Sequence, residues 1–416
     1  MYKRLAGLGF PLFILLPWTG FLCSLFDFKT KKSAFIYIAF GMLYGYSISF
    51  SETGADSYRY ALAFANFDNS LDYNRIITLY QLGELRDLYR LILFYFVSIF
   101  TNNPKIMFAF AGGIYGVFSY LNLRILINQK KQTNDKYTFL LILTFYTFVS
   151  LSNINGFRFW TGAMVLFYAS YHFILQKKNI WLLGVLVTPL FHYGFMPVMP
   201  LLIVYRYFIH PFLYNQIEVK PVLYYIFIST FIASWILTTN SIDIGFLKEN
   251  DVFDGEVANR IDYLNSDKIT NTVKTRVENS FYLSVQKYFT ILIKIYVFIA
   301  VLFLKKRIQS LKENKLAYNN ILAFVMFFYS FAFIATSFPS GGRFLYIAHL
   351  FLMLLMVTVY VKASTRKFKR IISWSLPVFS FNILYINFML SFLILTPTFW
   401  YANLFWIIIE GLDFII

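Results

Sequence analysis

Apolar runs of helix length, broken by short polar and basic loops, recur along almost the whole chain. Runs long enough to cross a bilayer fall at 8–26, 34–50, 105–126, 137–152, 157–175, 221–238, 288–304, 318–337, 343–361, 371–392 and 396–412. A crossing helix takes about 17–25 residues, whereas a barrel strand takes about ten in strict alternation, so the pattern predicts helices. Two further runs are shorter: 88–101, and the pair 180–191 and 193–205 interrupted at His192. The reading is an all-α polytopic membrane protein, one integral domain over 1–416. It has about 11–13 membrane helices, including short or re-entrant segments.

Basic loops assign sides by the positive-inside rule. Lys29, Lys31 and Lys32, the stretch Arg124 to Lys136, Lys177 and Lys178, Lys305 to Lys315, and Lys362 to Arg370 are expected to be cytoplasmic. The loop 51–90 must then face outward, and 88–101 cannot be a full span without breaking parity. It is expected to be an interfacial helix on the outer face, with Arg86 and Arg90 at the headgroups. The pair at 180–205 lies between two cytoplasmic loops and must cross and return. Each arm, about 18 Å of helix against a core of about 30 Å, points to re-entrant or tilted segments. Outer loops fall at 51–90, 152–156, 239–287 and 338–342, of which the first and third are long. This scheme places the N-terminus, with Lys3 and Arg4, outside.

Composition narrows the class. The 416 residues are 59% hydrophobic and only 14% charged. Soluble domains carry about 25% charged residues, so the chain cannot cover a water-facing surface. The net charge of +17 sits in clusters between apolar runs, which fits membrane orientation and gives no reason to expect nucleic acid. The single cysteine, Cys23, lies inside the first run and excludes a disulfide or a thiolate metal centre. The first run is long and lacks a small-residue cleavage site, so no cleavable signal is expected.

Candidate chemistry clusters at the predicted outer ends. Ser152–Trp160 reads S-N-I-N-G-F-R-F-W and sets Asn155 and Arg158 at the start of a span. Residues 339–344 read P-S-G-G-R-F and repeat the design with Arg343. An arginine in the first turn of a helix adds its charge to the positive end of the dipole, which together would hold a diphosphate. Each could equally snorkel to headgroups. Beyond the second span, D-S-Y-R-Y supplies Asp56, Arg59 and Tyr60. Asp56 is either the N-cap of a helix over 57–67 or a carboxylate acting on a sugar hydroxyl, with Tyr60 one turn on. Glu84 is a second carboxylate, or a solvated loop charge. His192 breaks an apolar stretch, where an ionisable group is functional or internally paired. His172 and His349 lie within spans and could be satisfied by neighbouring carbonyls or by lipid headgroups, and His210 sits in a cytoplasmic loop without a role. In the second long loop Arg260 and Arg276 could reach over a cavity, while Asn250–Glu256 lacks the spacing of a calcium site. No nucleotide, zinc-protease or nucleophile-elbow motif occurs, so no cofactor or metal is expected and the energy must reside in an activated substrate.

These patches together resemble the EpsG-like and Wzy-type polysaccharide polymerases of bacterial envelopes. The resemblance rests on D-x-x-x-Y after the second span (Asp56, Tyr60) and N-x-x-R opening a later one (Asn155, Arg158). It rests also on a histidine one helix further (His192) and R-F with a tyrosine two positions on (Arg343, Phe344, Tyr346). Phe159 stands where the family pattern carries glutamine, and Glu84 lacks the family's proline and glycine.

The resemblance implies a GT-C-like enzyme of the bacterial inner membrane. It would join undecaprenyl-diphosphate-linked oligosaccharides, donor and acceptor, at the outer face and release undecaprenyl diphosphate. A chain-length regulator protein would be a partner beside the lipid bilayer. Arg158 and Arg343 would grip the diphosphate, with Arg276 as an alternative. Asp56 or His192 would orient or deprotonate the acceptor hydroxyl, while Arg59, Tyr60, Glu84, Asn155, Arg260 and Tyr346 would bind substrate. A flippase for the same lipid-linked substrate, or another lipid-dependent envelope glycosyltransferase, is the rival reading.

Overall fold

Backbone groups in hydrocarbon must find partners within their own segment, and the chain meets this with helices. The computed structural model describes residues 8–50, 56–67, 78, 87–129, 135–214, 219–237, 281–311, 313–338 and 340–412. In chain order the helices are α1 Gly9–Leu15, α2 Pro17–Ser24, α3 Lys31–Tyr46, α4 Asp56–Ala65, α5 Leu88–Ser98, α6 Pro104–Gln129, α7 Lys136–Tyr146, α8 Phe157–Ser170, α9 Leu182–Phe191, α10 Val198–Val204 and α11 His210–Tyr214. There follow α12 Pro221–Ile236, α13 Phe281–Gln309, α14 Lys315–Ala335, α15 Arg343–Lys362, α16 Arg366–Phe381, α17 Leu390–Ile394, α18 Thr398–Tyr401 and α19 Leu404–Leu412. Among the described residues seven continuous helical stretches are long and apolar enough to cross a membrane. Among the described residues the only β pairing is a single bridge, Ile48 to Leu395.

One of those stretches, Lys136–Leu175, runs 40 residues, about 60 Å if straight and twice the hydrocarbon thickness. It reverses instead. Ser119 on α6 donates to the Val149 carbonyl at 3.0 Å, Phe108 meets Phe157 at 5.7 Å, and Asn122 donates to the Met164 carbonyl at 2.9 Å. The chain therefore climbs along α6 through α7, turns over 151–156, and descends as α8. This is the two-span reading of 137–152 and 157–175, with the turn where the sequence placed it.

The broken pair at 180–205 also goes up and back. Gly184 packs on Ala169 low on α8, while Phe195 stacks on Phe159 at 4.9 Å near its top. The return arm is longer than its apolar run, because a π-turn at Tyr205–Ile209 carries it into α11, giving a 20-residue stretch Tyr193–Phe212. His210 thus lies in a helix and is buried, rather than in a loop. His349 bonds Tyr329 at 2.7 Å, whereas the buried Nδ1 of His172 has no hydrogen-bond partner among the described residues. The run at 88–101 is a short helix, α5, packed beside α6 and α9, as its length required.

Of the runs expected to span, 34–50 and 221–238 form helices of only 16 residues, α3 and α12, outside those seven; two others fold back on themselves. The first, 8–26, folds into the antiparallel pair α1–α2. Leu16 is extended, Pro17 opens α2 with its fixed φ, and a side chain on Gly20 would collide with the backbone of Phe13. Ser33 donates to the Ser24 carbonyl at 2.6 Å, so the pair returns to the end where α3 starts. Gly9 therefore lies at the same end as Lys31, which removes the need for an outer N-terminus. The last run, 396–412, dips through α18 and comes back as α19. Thr396 donates to the Ser47 carbonyl at 2.8 Å, Trp400 stacks on Trp18 at 5.1 Å, and Asn103 donates to the Gly411 carbonyl at 3.0 Å. Two half-length hairpins thus enter from opposite ends and meet at stacked indoles.

The closest helix pair is α3–α6. Gly41 and Gly45 face Gly112 and Gly116, each pair four residues apart on one helix face. An added Cβ on Gly45 would strike the Phe108 carbonyl and one on Gly112 the Gly41 carbonyl. Small residues let backbones approach and replace the hydrophobic drive that lipid cannot supply. At the centre, 83% of the α15 window is buried, against 22% for Arg366–Ile394 on the rim. Gly112→Leu is expected to cost about 3 kcal/mol through overpacking. Gly113→Ala, which meets only the flexible Met42 side chain, should be tolerated. Melting temperatures of the two detergent-solubilised variants test the difference, and equal stability would refute the tight contact.

Candidate functional site

The first turn of α8 is the meeting point. Arg158 Nε donates to the Tyr60 hydroxyl at 2.8 Å, and its guanidinium lies 4.9 Å from the Tyr60 ring centre. Its Nη1 pairs with Oδ2 of Asp87. The other oxygen, Oδ1, accepts the Tyr193 backbone N–H at 3.1 Å. Asp87 sits at the N-cap of α5 yet makes no cap hydrogen bond there. Its carboxylate, 2% exposed, instead joins α5, α8 and the break at 192–193. A carboxylate so buried needs a charged partner and further donors, and it has both.

Burial raises the pKa of Tyr60, and the neighbouring Arg158 opposes that rise. Tyr60 therefore stays protonated at neutral pH. Its oxygen accepts from Arg158, and among the described residues no acceptor takes its proton. α4 is fixed from below, because the Ser57 N–H donates to Asn155 Oδ1 at 3.1 Å. The acceptor for that first-turn amide is thus Asn155, while Asp56 is the first helical residue and pairs with the exposed Arg59. The Asp56 carboxylate lies beside Gly156, where a Cβ would stand 3.8 Å from Oδ2.

Arg343 reaches the same turn from another helix. Its guanidinium lies 5.2 Å from the ring centre of Phe159, the residue next to Arg158, in a cation–π contact. The chain ahead of α15 is constrained: Ser340 holds a left-handed φ of 62°, and a Cβ on Gly341 would collide with the Ala335 carbonyl. Phe159 also stacks on Phe195 and meets the edge of His192 at 5.3 Å. Phe159 is thus an apolar contact shared by Arg343, Phe195 and His192. His192 Nδ1 accepts the Gly194 N–H at 2.9 Å, so Nε2 carries the proton and the ring is a donor in this arrangement. Tyr346, one turn into α15, packs on Trp160 at 5.5 Å.

The structure therefore gathers Asp56, Arg59, Tyr60, Asn155, Arg158, His192, Arg343 and Tyr346 around one helix turn. Glu84, Arg260 and Arg276 lie outside the described residues. The structure adds Asp87 and Phe159 to this group; nothing in the sequence around Asp87 marks it off from the other acids of its loop. The described groups stand at the end of the bundle opposite Lys31, Gln129, Lys177 and Lys315. Among the described residues no three His, Cys, Asp or Glu side chains cluster as a metal site would need.

The fold and site define a polytopic α-helical membrane protein with a buried arginine–carboxylate centre at one end. Compared with protein-family models, curated proteins and solved structures, the chain matches none.

Removing one partner of the central pair leaves the other charge buried. Asp87→Ala and Arg158→Ala should each destabilise by about 3 kcal/mol, and the double variant by much less than the sum. The exposed Asp56–Arg59 pair should couple by under about 1 kcal/mol. Double-mutant cycles on thermal unfolding read both, and additive losses at Asp87 and Arg158 would contradict the assigned pairing.

Proposed function

We propose that the chain is a glycosyltransferase that polymerises lipid-diphosphate-linked oligosaccharides. The observation that carries this reading is the convergence of Arg158 and Arg343 on one turn of α8. Among the described residues three guanidiniums, Arg59, Arg158 and Arg343, stand there against two carboxylates, Asp56 and Asp87, a positive balance suited to a diphosphate. The basic loops collect at the other end, so the positive-inside rule turns this site to the outer face of the cytoplasmic membrane. A GT-C-like layout, undecaprenyl diphosphate as carrier and a chain-length regulator as partner belong to the same proposal.

In this scheme an acceptor hydroxyl attacks the anomeric carbon of the donor glycan. Asp56, partly exposed and next to Gly156, takes the hydroxyl proton as the new glycosidic bond forms. The anomeric carbon–oxygen bond to the diphosphate breaks, and lipid diphosphate leaves. Charge grows on the departing phosphates, where Arg343 and the Arg158 N–H groups not bonded to Tyr60 or Asp87 stabilise it in a largely dry setting. Tyr60 O–H and His192 Nε2–H add neutral donors. Asp87 holds Arg158 in place and limits its charge, so the site binds diphosphate without retaining it too tightly. The apolar floor of Phe159, Phe195 and Phe344 lies beside the grip, suited to the prenyl chain.

A transporter of the same substrate is the second reading, favoured by the two half-length hairpins, since broken helices are frequent in transporters. The glycan ladder of a deletion strain separates the two: a polymerase defect leaves single repeats, and a transport defect leaves none. Arg158→Ala and Arg343→Ala should each lower chain extension at least ~100-fold with protein level retained. Arg343→Lys should recover little, because lysine lacks the planar fork. His192→Gln should keep partial activity, because its amide can still donate. A normal ladder from either alanine variant would end the diphosphate assignment.

A further inference from the structure

The opposite end of the bundle holds a cavity of about 530 Å³, within the range of small-molecule sites. It opens between the end of α6, the π-turn Tyr171–Leu175, the start of α11, the start of α14 and the last turns of α15. Its polar wall includes Gln129, Gln176, Lys177, His210, Asn314 and Asn320, and among the described residues no acidic side chain lines it. Ile174, Ile321 and Leu354 form an apolar flank. None of these residues belongs to the arginine–carboxylate site.

Backbone strain marks the same place. Among the described residues only three non-glycine residues have positive φ, and two of them, Lys177 at 57° and Asn314 at 56°, line this cavity. A lysine gains nothing locally from that conformation, unlike asparagine, and holding it there costs about 1 kcal/mol or more. The conformation does place a lysine among the amides that line the cavity. A π-turn forms one wall, a geometry that recurs at functional sites. Amides match hydroxyls, the lysine matches an anion, and the apolar flank matches an acyl chain.

We propose that this cavity binds a phosphate-bearing polyol headgroup, held by Lys177 and the surrounding amides. The source is either an anionic phospholipid of the adjacent leaflet or a soluble phosphate ester of the same chemistry. The site is independent of the activity assigned to the other end.

Thermal unfolding of the full-length protein in neutral detergent tests this, with dioleoyl phosphatidylglycerol, dioleoyl phosphatidylcholine, glycerol 3-phosphate and inorganic phosphate as probes. Phosphatidylglycerol should raise the melting temperature by about 2 °C or more at saturation, and phosphatidylcholine should not. A matching shift from glycerol 3-phosphate alone would assign the soluble source. Lys177→Gly should match the parent without a probe, since glycine accepts the left-handed backbone, yet should lose the shift. Lys178→Gln, a neighbour outside the cavity, should keep it. Equal shifts from both phospholipids, no shift from any probe, or a full shift in Lys177→Gly would overturn the proposal. Equal loss in the Lys177 and Lys178 variants would also overturn it, as non-specific surface charge.

Discussion

A carboxylate withdrawn from water has to be answered, and Asp87 is answered twice. Arg158 meets one oxygen and the Tyr193 amide the other. Neither contact is local in sequence, so the pair fixes α5 and the 192–193 break against α8 at once. Removing charge from solvent costs several kcal/mol for each ion, and that cost is recovered only while all three segments stay together. The site is therefore built around a condition: its most positive side chain is in place only when three separate segments are.

The glycine contact between α3 and α6 provides the frame for this condition. It brings two backbones into van der Waals range near mid-bundle, and α4 and the 151–156 turn are positioned from its upper end. Tyr115 on α6 donates to the Ser150 carbonyl at 2.9 Å and Asn153 donates to Tyr115 at 3.1 Å. The turn carrying Asn155 and Arg158 is thus tied to α6 by side chains rather than left as a free loop. Arg343 arrives on the most buried helix of the bundle, so both arginines sit on elements with little freedom to drift.

Much of this was legible in the residues. The G-x-R-F echo correctly pointed to two helix starts, because arginines flanked by apolar helix are conspicuous against so few charges. Asp87 was harder, since in a loop of mixed charge nothing local separates a buried acid from a solvated one. The terminal runs misled for a different reason. Hydropathy records that a segment is apolar, and 8–26 is apolar whether it crosses or folds back. The marks of return were small, Pro17 with Gly20 in one run and Pro397, Asn403 and Gly411 in the other. The π-turn at 205–209 has no sequence signature, and it made the second arm of the broken pair long enough to reach the far side.

The stacking of Trp18 on Trp400 has a bearing on biosynthesis. All the residues between Trp18 and Trp400 must leave the ribosome before the first hairpin meets its counterpart. Until then lipid or the insertion machinery must shield the hairpin around Trp18. Maturation would therefore finish as a late closing step, in which two segments far apart in the sequence lock together what the residues between them have already assembled.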